Sequence, residues 1–185
     1  MAPAAQGSIR IIAGRWRGSR IAVADRETLR PTPDRVRETL FNWLAPELPG
    51  ARCLDLFAGT GALGFEALSR GAASCDAVEL DPSLCIQITA VRTRLAADPY
   101  TVHRANACTW LAQPATPYDI VFIDPPFHRN LIPDLLVQLV QGWLAPQALI
   151  YVESEREFQP QADRLTHYRG GTTKHIAYTL LRHVA

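Results

Sequence analysis

From residue 52 onward, short apolar runs alternate with longer segments in which apolar residues recur at helical spacing. The runs predict buried strands at 52–57, 75–80, 100–104, 118–123 and 148–153. The segments between them predict helices that end at 69 or span 82–97, 106–111 and 131–144. Repeated strand–helix units of this kind indicate a parallel sheet with helices on both faces.

The N-terminal part of the chain follows a different pattern. Residues 9–13 and 19–23 predict two short strands joined by the loop Gly14-Arg15-Trp16-Arg17-Gly18. A helix is predicted from about 33 to 45, with Thr32 as its N-cap and a proline at the first helical position. The residues expected on its buried face are Val36, Leu40, Phe41 and Leu44.

The C-terminal part predicts two more strands, at 164–169 and 175–182. Gly170-Gly171 lies between them and is typical of a tight turn. A pair of strands joined in this way is expected to be antiparallel.

Length and composition are typical of one globular domain. The chain has 185 residues, of which 48% are hydrophobic and 20% are charged. It lacks a long apolar stretch and an apparent secretion signal, so we expect a cytoplasmic protein. The four cysteines form no paired C-x-x-C spacing, and neither a disulfide nor a metal site is expected.

Positive charge is concentrated near the N-terminus. Residues 1–45 contain eight arginines and four acidic residues, whereas the rest of the chain carries a net charge of −3. Within 8–20 there are four arginines and no acidic residue. Such a cluster indicates a polyanionic partner.

The segment Asp124-Pro125-Pro126-Phe127 directly follows the predicted strand at 118–123. Each proline fixes φ and removes a backbone N–H, so the turn is stiff and its carbonyl groups are left to accept hydrogen bonds. A carboxylate, a fixed carbonyl and an aromatic ring at the end of a strand suit a flat heteroaromatic amine that donates two N–H bonds. The alternative is an ordinary turn that begins at Asp-Pro.

A second motif, Gly59-Thr60-Gly61-Ala62-Leu63-Gly64, predicts a nucleoside-containing ligand, with Glu79 placed to accept from ribose hydroxyls. The motif alone leaves NAD and S-adenosylmethionine open. Asp55 favours S-adenosylmethionine, because a carboxylate attracts the ammonium group of a methionine moiety and offers nothing to a pyrophosphate. The amide of Asn106 suits an adenine amino group, and a hydride-transfer enzyme would not need an Asp-Pro-Pro-Phe amine cradle.

Together, residues 55–61 and 124–127 resemble the class I S-adenosylmethionine-dependent methyltransferases that act on exocyclic amino groups of nucleobases. Residues 14–18, 30–44, 61–64 and 148–153 are similar to the RsmD-type family of bacterial 16S rRNA guanine-N2 methyltransferases. The resemblance extends from about residue 8 to residue 182. Pro33 is a small departure, because a threonine or serine is expected there.

This resemblance implies a Rossmann-like class I methyltransferase fold: a seven-stranded, mostly parallel sheet with an antiparallel C-terminal strand, plus an N-terminal β-hairpin extension. We expect a disordered start at 1–7, an RNA-binding hairpin and helix at 8–45, and the methyltransferase domain at 46–185. The implied cofactor is S-adenosyl-L-methionine. The implied partner is 16S rRNA in the 30S subunit or its assembly intermediate, bound by a monomer without metal or membrane.

The site residues follow from the motifs and the resemblance. The expected catalytic residues are Asp124, Pro125, Pro126 and Phe127. The expected cofactor-binding residues are Thr32, Asp34, Asp55, Phe57, Ala58, Gly59, Thr60, Gly61, Glu79, Leu80, Asn106 and Ala107. The expected RNA-binding residues are Arg10, Arg15, Trp16, Arg17, Arg20 and Arg35. The competing hypotheses are an adenine-N6 methyltransferase on RNA or DNA, an NAD(P)-binding oxidoreductase and a non-catalytic RNA-binding module.

Overall fold

The computed structural model of the chain describes residues 7–23, 32–127, 129–155 and 163–184, so most of the predicted disordered start lies outside the described residues. The strands are β1 (Ser8–Arg10), β2 (Arg20–Ala22), β3 (Arg52–Asp55), β4 (Ser74–Glu79), β5 (Tyr100–Arg104), β6 (Tyr118–Ile123), β7 (Leu144–Ser154), β8 (Leu165–Thr172) and β9 (Ala177–His183). The helices are α1 (Asp34–Leu44), α2 (Ala62–Ser69), α3 (Pro82–Leu95), α4 (Ala107–Leu111) and α5 (Ile132–Leu139). None of the described helices is both long and apolar enough to cross a membrane.

Seven strands form one sheet in the order β5-β4-β3-β6-β7-β9-β8, and β1 pairs with β2 in a separate hairpin. The first five strands in that order are parallel to one another, whereas β9 is antiparallel to both of its neighbours. This confirms the predicted fold. The chain moves outward from β3 to β5 and then returns to place β6 on the other side of β3. Ligands of open α/β sheets bind at such a switch point, beyond the carboxyl ends of the strands.

Both faces of the sheet are buried, as parallel strands require. The hairpin, α1, α2 and α3 cover one face, where the rings of Phe41, Phe65 and Phe122 are fully buried. The other face packs against α4 and α5 through residues such as Leu111 and Leu135. The predicted buried face of α1 is confirmed.

A buried carboxylate in α2 anchors the N-terminal hairpin. Glu66 is completely buried and accepts hydrogen bonds from the backbone N–H groups of Ile12 at 2.7 Å and Ala13 at 3.1 Å. Its charge is paired with Arg70, whose Nε lies 2.7 Å from Glu66 Oε1. Arg37 of α1 is also buried and lies 3.9 Å from the other Glu66 oxygen. Since buried charges are tolerated only when they are paired, this cluster ties the hairpin to both helices.

The loop of the hairpin docks on the C-terminal end of α2. The backbone N–H of Arg15 donates to the carbonyl of Ser69 at 2.7 Å, and that of Trp16 donates to the Ser69 hydroxyl at 3.0 Å. Gly14 has φ +83°, and a Cβ there would lie 1.8 Å from the Ser69 carbonyl oxygen, so this position requires glycine. The loop therefore lies at the end of α2 opposite to Gly61, which is the N-cap of that helix.

Several predicted boundaries are wrong, since β1 ends at Arg10, β3 ends at Asp55 and β7 begins at Leu144. Two further differences have a clear physical cause. Helix α5 ends at Leu139 and not at 144, because Leu144 already belongs to β7. Gly170-Gly171 is not the C-terminal turn but part of β8, and the turn lies at 173–176. A Cβ on Gly171 would lie 2.5 Å from the hydroxyl oxygen of Tyr178, so the absence of a side chain serves packing within the strand pair.

Candidate active site

The Asp-Pro-Pro-Phe segment stands at the carboxyl edge of the sheet. β6 ends at Ile123, and the four residues that follow form a loop beside the switch point. Pro125 is buried, Pro126 is exposed and Phe127 is partly exposed. The structure therefore places Asp124, the two prolines and Phe127 directly beyond the end of a strand, as predicted from the sequence.

Three carboxyl groups lie on one face at this edge. Asp55 of β3, Phe122 of β6 and Tyr151 of β7 are cross-strand neighbours. Glu153 lies two residues after Tyr151 in β7, and Asp124 lies two residues after Phe122, directly beyond the end of β6. Continued alternation places both on the same face as Asp55, where their charges affect one another. Asp124 is partly exposed. Desolvation by the surrounding protein raises the pKa of Asp124 well above its ordinary value, and the charges of Glu153 and Asp55 raise it further.

Glu153 connects this edge to the N-terminal part of the chain. Its side chain is buried, and its Oε1 accepts hydrogen bonds from the hydroxyl groups of Thr32, at 2.5 Å, and Tyr151, at 2.8 Å. Burial raises the pKa of Glu153, whereas the two hydroxyl donors favour its ionised form. The prediction of Thr32 as a helix N-cap is wrong, because Pro33 occupies that position and the Thr32 hydroxyl is bonded to Glu153.

Sequence reasoning did not place Glu153 in the site. The available signal was its position at the end of an apolar run, which is the same signal that identified Asp124.

Asp55 is a buried carboxyl group with an incomplete set of partners. It is 1% exposed and accepts from the backbone N–H of Phe57, while its Oδ1 has no hydrogen-bond partner among the described residues. Burial is the main cause that raises the pKa of Asp55 to about 7, and the charge of Glu79 adds to it. Of the neighbouring motif residues, Ala58 and Thr60 are buried and Phe57 is partly exposed. A buried acceptor without a partner is costly, and a cationic ligand group would satisfy it.

The glycines of the predicted cofactor loop have distinct roles. Gly61 has φ +79°, and a Cβ there would lie 2.9 Å from the side chains of Phe65 and Tyr100. A Cβ on Gly64 would lie 2.6 Å from the Tyr100 ring. Gly59 has φ +55° and open space around its Cβ position, with the nearest atom 4.0 Å away. Two glycines therefore bring α2 close to the sheet, and the first leaves room for a ligand at the helix N-terminus.

Glu79, at the end of β4, holds the glycine loop in place. Its two carboxylate oxygens accept from the backbone N–H groups of Gly59 and Asp81, each at 2.8 Å. The next residue, Leu80, is 63% exposed and presents a large apolar side chain at the same edge. Each oxygen of a carboxylate has a second lone pair, so ribose hydroxyls can still be accepted here.

Asn106 and Asp34 are engaged in local bonds. Asn106 caps α4, since its Oδ1 accepts from the backbone N–H groups of Cys108 at 2.9 Å and Thr109 at 3.4 Å, and Ala107 behind it is buried. Its predicted bond to an adenine amino group would have to share that oxygen and stays a prediction. Asp34 is exposed at the start of α1, where its Oδ1 accepts from Arg37 at 2.6 Å.

The predicted RNA-contacting residues lie on the hairpin strands, on the hairpin loop and on α1. The loop residues Arg15 and Arg17 are exposed at the far end of α2, whereas Arg35 is exposed in the first turn of α1, close to Thr32. Arg10 and Arg20, on the paired strands β1 and β2, are exposed as well. Trp16 is partly buried and packs against the core, with the Arg15 guanidinium 5.6 Å from its ring centre. Its ring therefore serves packing, and a stacking role toward RNA stays a prediction.

This sheet order, with a glycine loop after the first strand of the sheet and acids at the ends of the next strands, defines the class I methyltransferase fold. A family model described as "conserved hypothetical protein 95" matches residues 9–182. The chain belongs to this family, and the family resemblance predicted from the sequence is confirmed.

Relatives with established names agree with this assignment. The ribosomal RNA small subunit methyltransferase D of Escherichia coli K12 is 54% identical over 152 residues, which are 82% of this chain and 77% of the relative. The protein of the same name from Haemophilus influenzae is 46% identical over 160 residues, covering 84% of this chain and 83% of the relative. The solved structure of the Escherichia coli protein yhhF has a TM-score of 0.90 at 48% identity, covering 97% of this chain and 99% of that chain.

Proposed function

We propose that this protein transfers a methyl group from S-adenosyl-L-methionine to the exocyclic N2 of a guanine in 16S rRNA of the small ribosomal subunit. The observation that carries the proposal is the position of Asp124, Pro125 and Phe127 at the same sheet edge as the glycine loop and Asp55. The names of the relatives supply the small-subunit rRNA as the substrate class. Such an enzyme would act in the cytoplasm.

The residues present fit the cofactor. Asp55 Oδ1, which has no hydrogen-bond partner among the described residues, suits the ammonium group of the methionine moiety. The space at Gly59 and the N-terminus of α2 suits the rest of the methionine moiety, and Glu79 suits the ribose. When bound, S-adenosylmethionine supplies an electrophilic methyl group on a positively charged sulfur. A positive charge near Asp124 would also favour the ionised form of that carboxyl group.

The Asp-Pro-Pro-Phe loop would position the guanine and stabilise developing charge. An aromatic amino group is a poor nucleophile, because its lone pair is delocalised into the ring. Asp124 and the Pro125 carbonyl accept its two N–H bonds, and Phe127 stacks on the extruded base. As the nitrogen becomes positively charged, the Asp124 carboxylate stabilises it, and its raised pKa equips it to take the proton released afterwards.

The direct test uses small ribosomal particles and free small-subunit RNA from a strain that lacks this activity. The protein is incubated with methyl-labelled S-adenosylmethionine, and the RNA is digested to nucleosides. N2-methylguanosine is the expected product, whereas N6-methyladenosine would contradict the proposal and support the adenine-N6 alternative. Calorimetric titration with S-adenosylhomocysteine and with NADH tests the oxidoreductase alternative, for which only NADH would bind.

A further inference from the structure

The turn between β8 and β9 lies at the edge of the sheet that carries the candidate active site. β8 runs in the same direction as the parallel strands, because it is antiparallel to β9 and β9 is antiparallel to β7. Residues 173–176 therefore stand at the carboxyl edge. Ala177, which follows the turn, is paired with Ser154, the residue after Glu153.

This turn is exposed, basic and held in a defined conformation. Lys174, the single lysine of the chain, and His175 are both exposed. The hydroxyl of Thr173 accepts from the backbone N–H groups of His175 at 3.2 Å and Ile176 at 3.1 Å, and the Thr173 N–H donates to the Ile176 carbonyl at 2.8 Å. The Lys174 ammonium group and the His175 imidazole are thus presented by a braced four-residue turn.

The turn between β8 and β9 is basic, whereas the candidate active site beside it carries several acidic residues. The turn and its flanking residues, 172–177, contain Lys174 and His175 and no acidic residue. The neighbouring strand ends carry Asp55, Asp124 and Glu153 on one face, and Glu155 follows β7. A polyanion that approaches this edge is repelled by those carboxyl groups that are ionised, and a cation at the same edge offsets that repulsion.

We propose that the turn at Lys174 and His175 contacts backbone phosphates of the rRNA that flank the target base. The inference rests on the proposed function and extends it to a second RNA contact, separate from the N-terminal hairpin. The turn is about 10–15 Å from β6, two to three strand spacings away, which is within reach of nucleotides next to a base held at Asp124. The N-terminal loop, by contrast, lies at the opposite end of α2.

The test compares Lys174→Ala and Lys174→Glu with the same substitutions at Arg164. Arg164 directly precedes β8 and lies at the opposite edge of the sheet, about 25–30 Å from the turn by strand length. Filter binding of the protein to the small ribosomal particles and methyl transfer to them are both measured over a range of KCl concentrations. Thermal melting and S-adenosylhomocysteine binding check that each variant is folded.

We expect Lys174→Glu to weaken particle binding and raise KM about tenfold with kcat unchanged, because the substitution replaces attraction to a phosphate with repulsion. Lys174→Ala should reduce the slope of log affinity against log salt by about 0.7–0.9. The Arg164 variants should match the unchanged protein. Equal slopes and KM values for the Lys174 variants and the unchanged protein, or equal losses at Arg164, would overturn the inference. If the wild-type protein transfers no methyl group, the proposed function is contradicted. If the wild-type protein transfers methyl groups but the Lys174 variants bind the particles as well as it does, only the inference about the turn is contradicted.

Discussion

Replacing Asp55 with asparagine tests whether this buried carboxyl group is kept for a cationic ligand at the expense of stability. In the folded chain, burial raises the pKa of Asp55 from its ordinary value of 3.8 to about 7. Because the raised pKa belongs to an acid, its ionisation opposes folding. That opposition is absent below about pH 4, grows as the pH rises toward 7, and is constant above it. From pH 5 to pH 8, the ionisation of Asp55 should lower the free energy of unfolding by about 2–3 kcal/mol. Asparagine does not ionise, so Asp55→Asn should not lose this stability.

The assay is urea unfolding of the unchanged protein and Asp55→Asn at both pH values. The fixed cost of the asparagine amide is the same at both pH values and therefore cancels. Asp124, whose pKa the charge of Asp55 raises, is relieved of that charge in the variant, which moves the comparison in the same direction. The difference in unfolding free energy between the two proteins should therefore shift in favour of Asp55→Asn by about 2–3 kcal/mol from pH 5 to pH 8. S-adenosylhomocysteine should bind the variant at least about tenfold more weakly, because a charge-assisted hydrogen bond is lost. A pH-independent difference in stability would refute the reasoning.

Two further predictions concern the hairpin and the carboxyl pair. Gly14→Ala should destabilise the protein by about 2–4 kcal/mol, because its Cβ would collide with the Ser69 carbonyl, whereas Gly18→Ala, at φ +86° with open space, should cost only about 1–2 kcal/mol. Equal melting temperatures for the two variants would contradict the docking of the loop. Glu153→Gln removes the neighbouring charge that raises the pKa of Asp124, so the acidic limb of the kcat profile should move to lower pH. An unmoved limb would show that Glu153 does not act on Asp124.

Most of the sheet was predictable, because buried parallel strands are continuous apolar runs separated by helices. β5 and β6 have the predicted bounds, and the acids at strand ends lie where the alternation places them. Predictions from the local sequence were wrong where tertiary packing, and not a turn, explained the residues. Gly170-Gly171 has the composition of a turn, yet these glycines lie inside β8, where the Tyr178 hydroxyl occupies the space that a side chain at Gly171 would need.

Polar contacts between residues far apart in the sequence could not be predicted from local sequence patterns. The Thr32 hydroxyl has the local context of a helix cap, but its partner is Glu153, which is 121 residues away in the sequence. The buried charges of Arg37 and Glu66 were also missed, since charged residues in a helix are usually exposed and only the packed structure shows their partners.

The most direct measurement of the central claim is the comparison of Asp124→Ala with the unchanged protein in single-turnover methyl transfer and in S-adenosylhomocysteine binding. If Asp124 holds the substrate amine and stabilises its growing charge, the dissociation constant for the cofactor product should stay within a few-fold while the rate falls by about 10²–10⁴. A variant that transfers methyl groups at an undiminished rate, or one that no longer binds S-adenosylhomocysteine, would contradict that role.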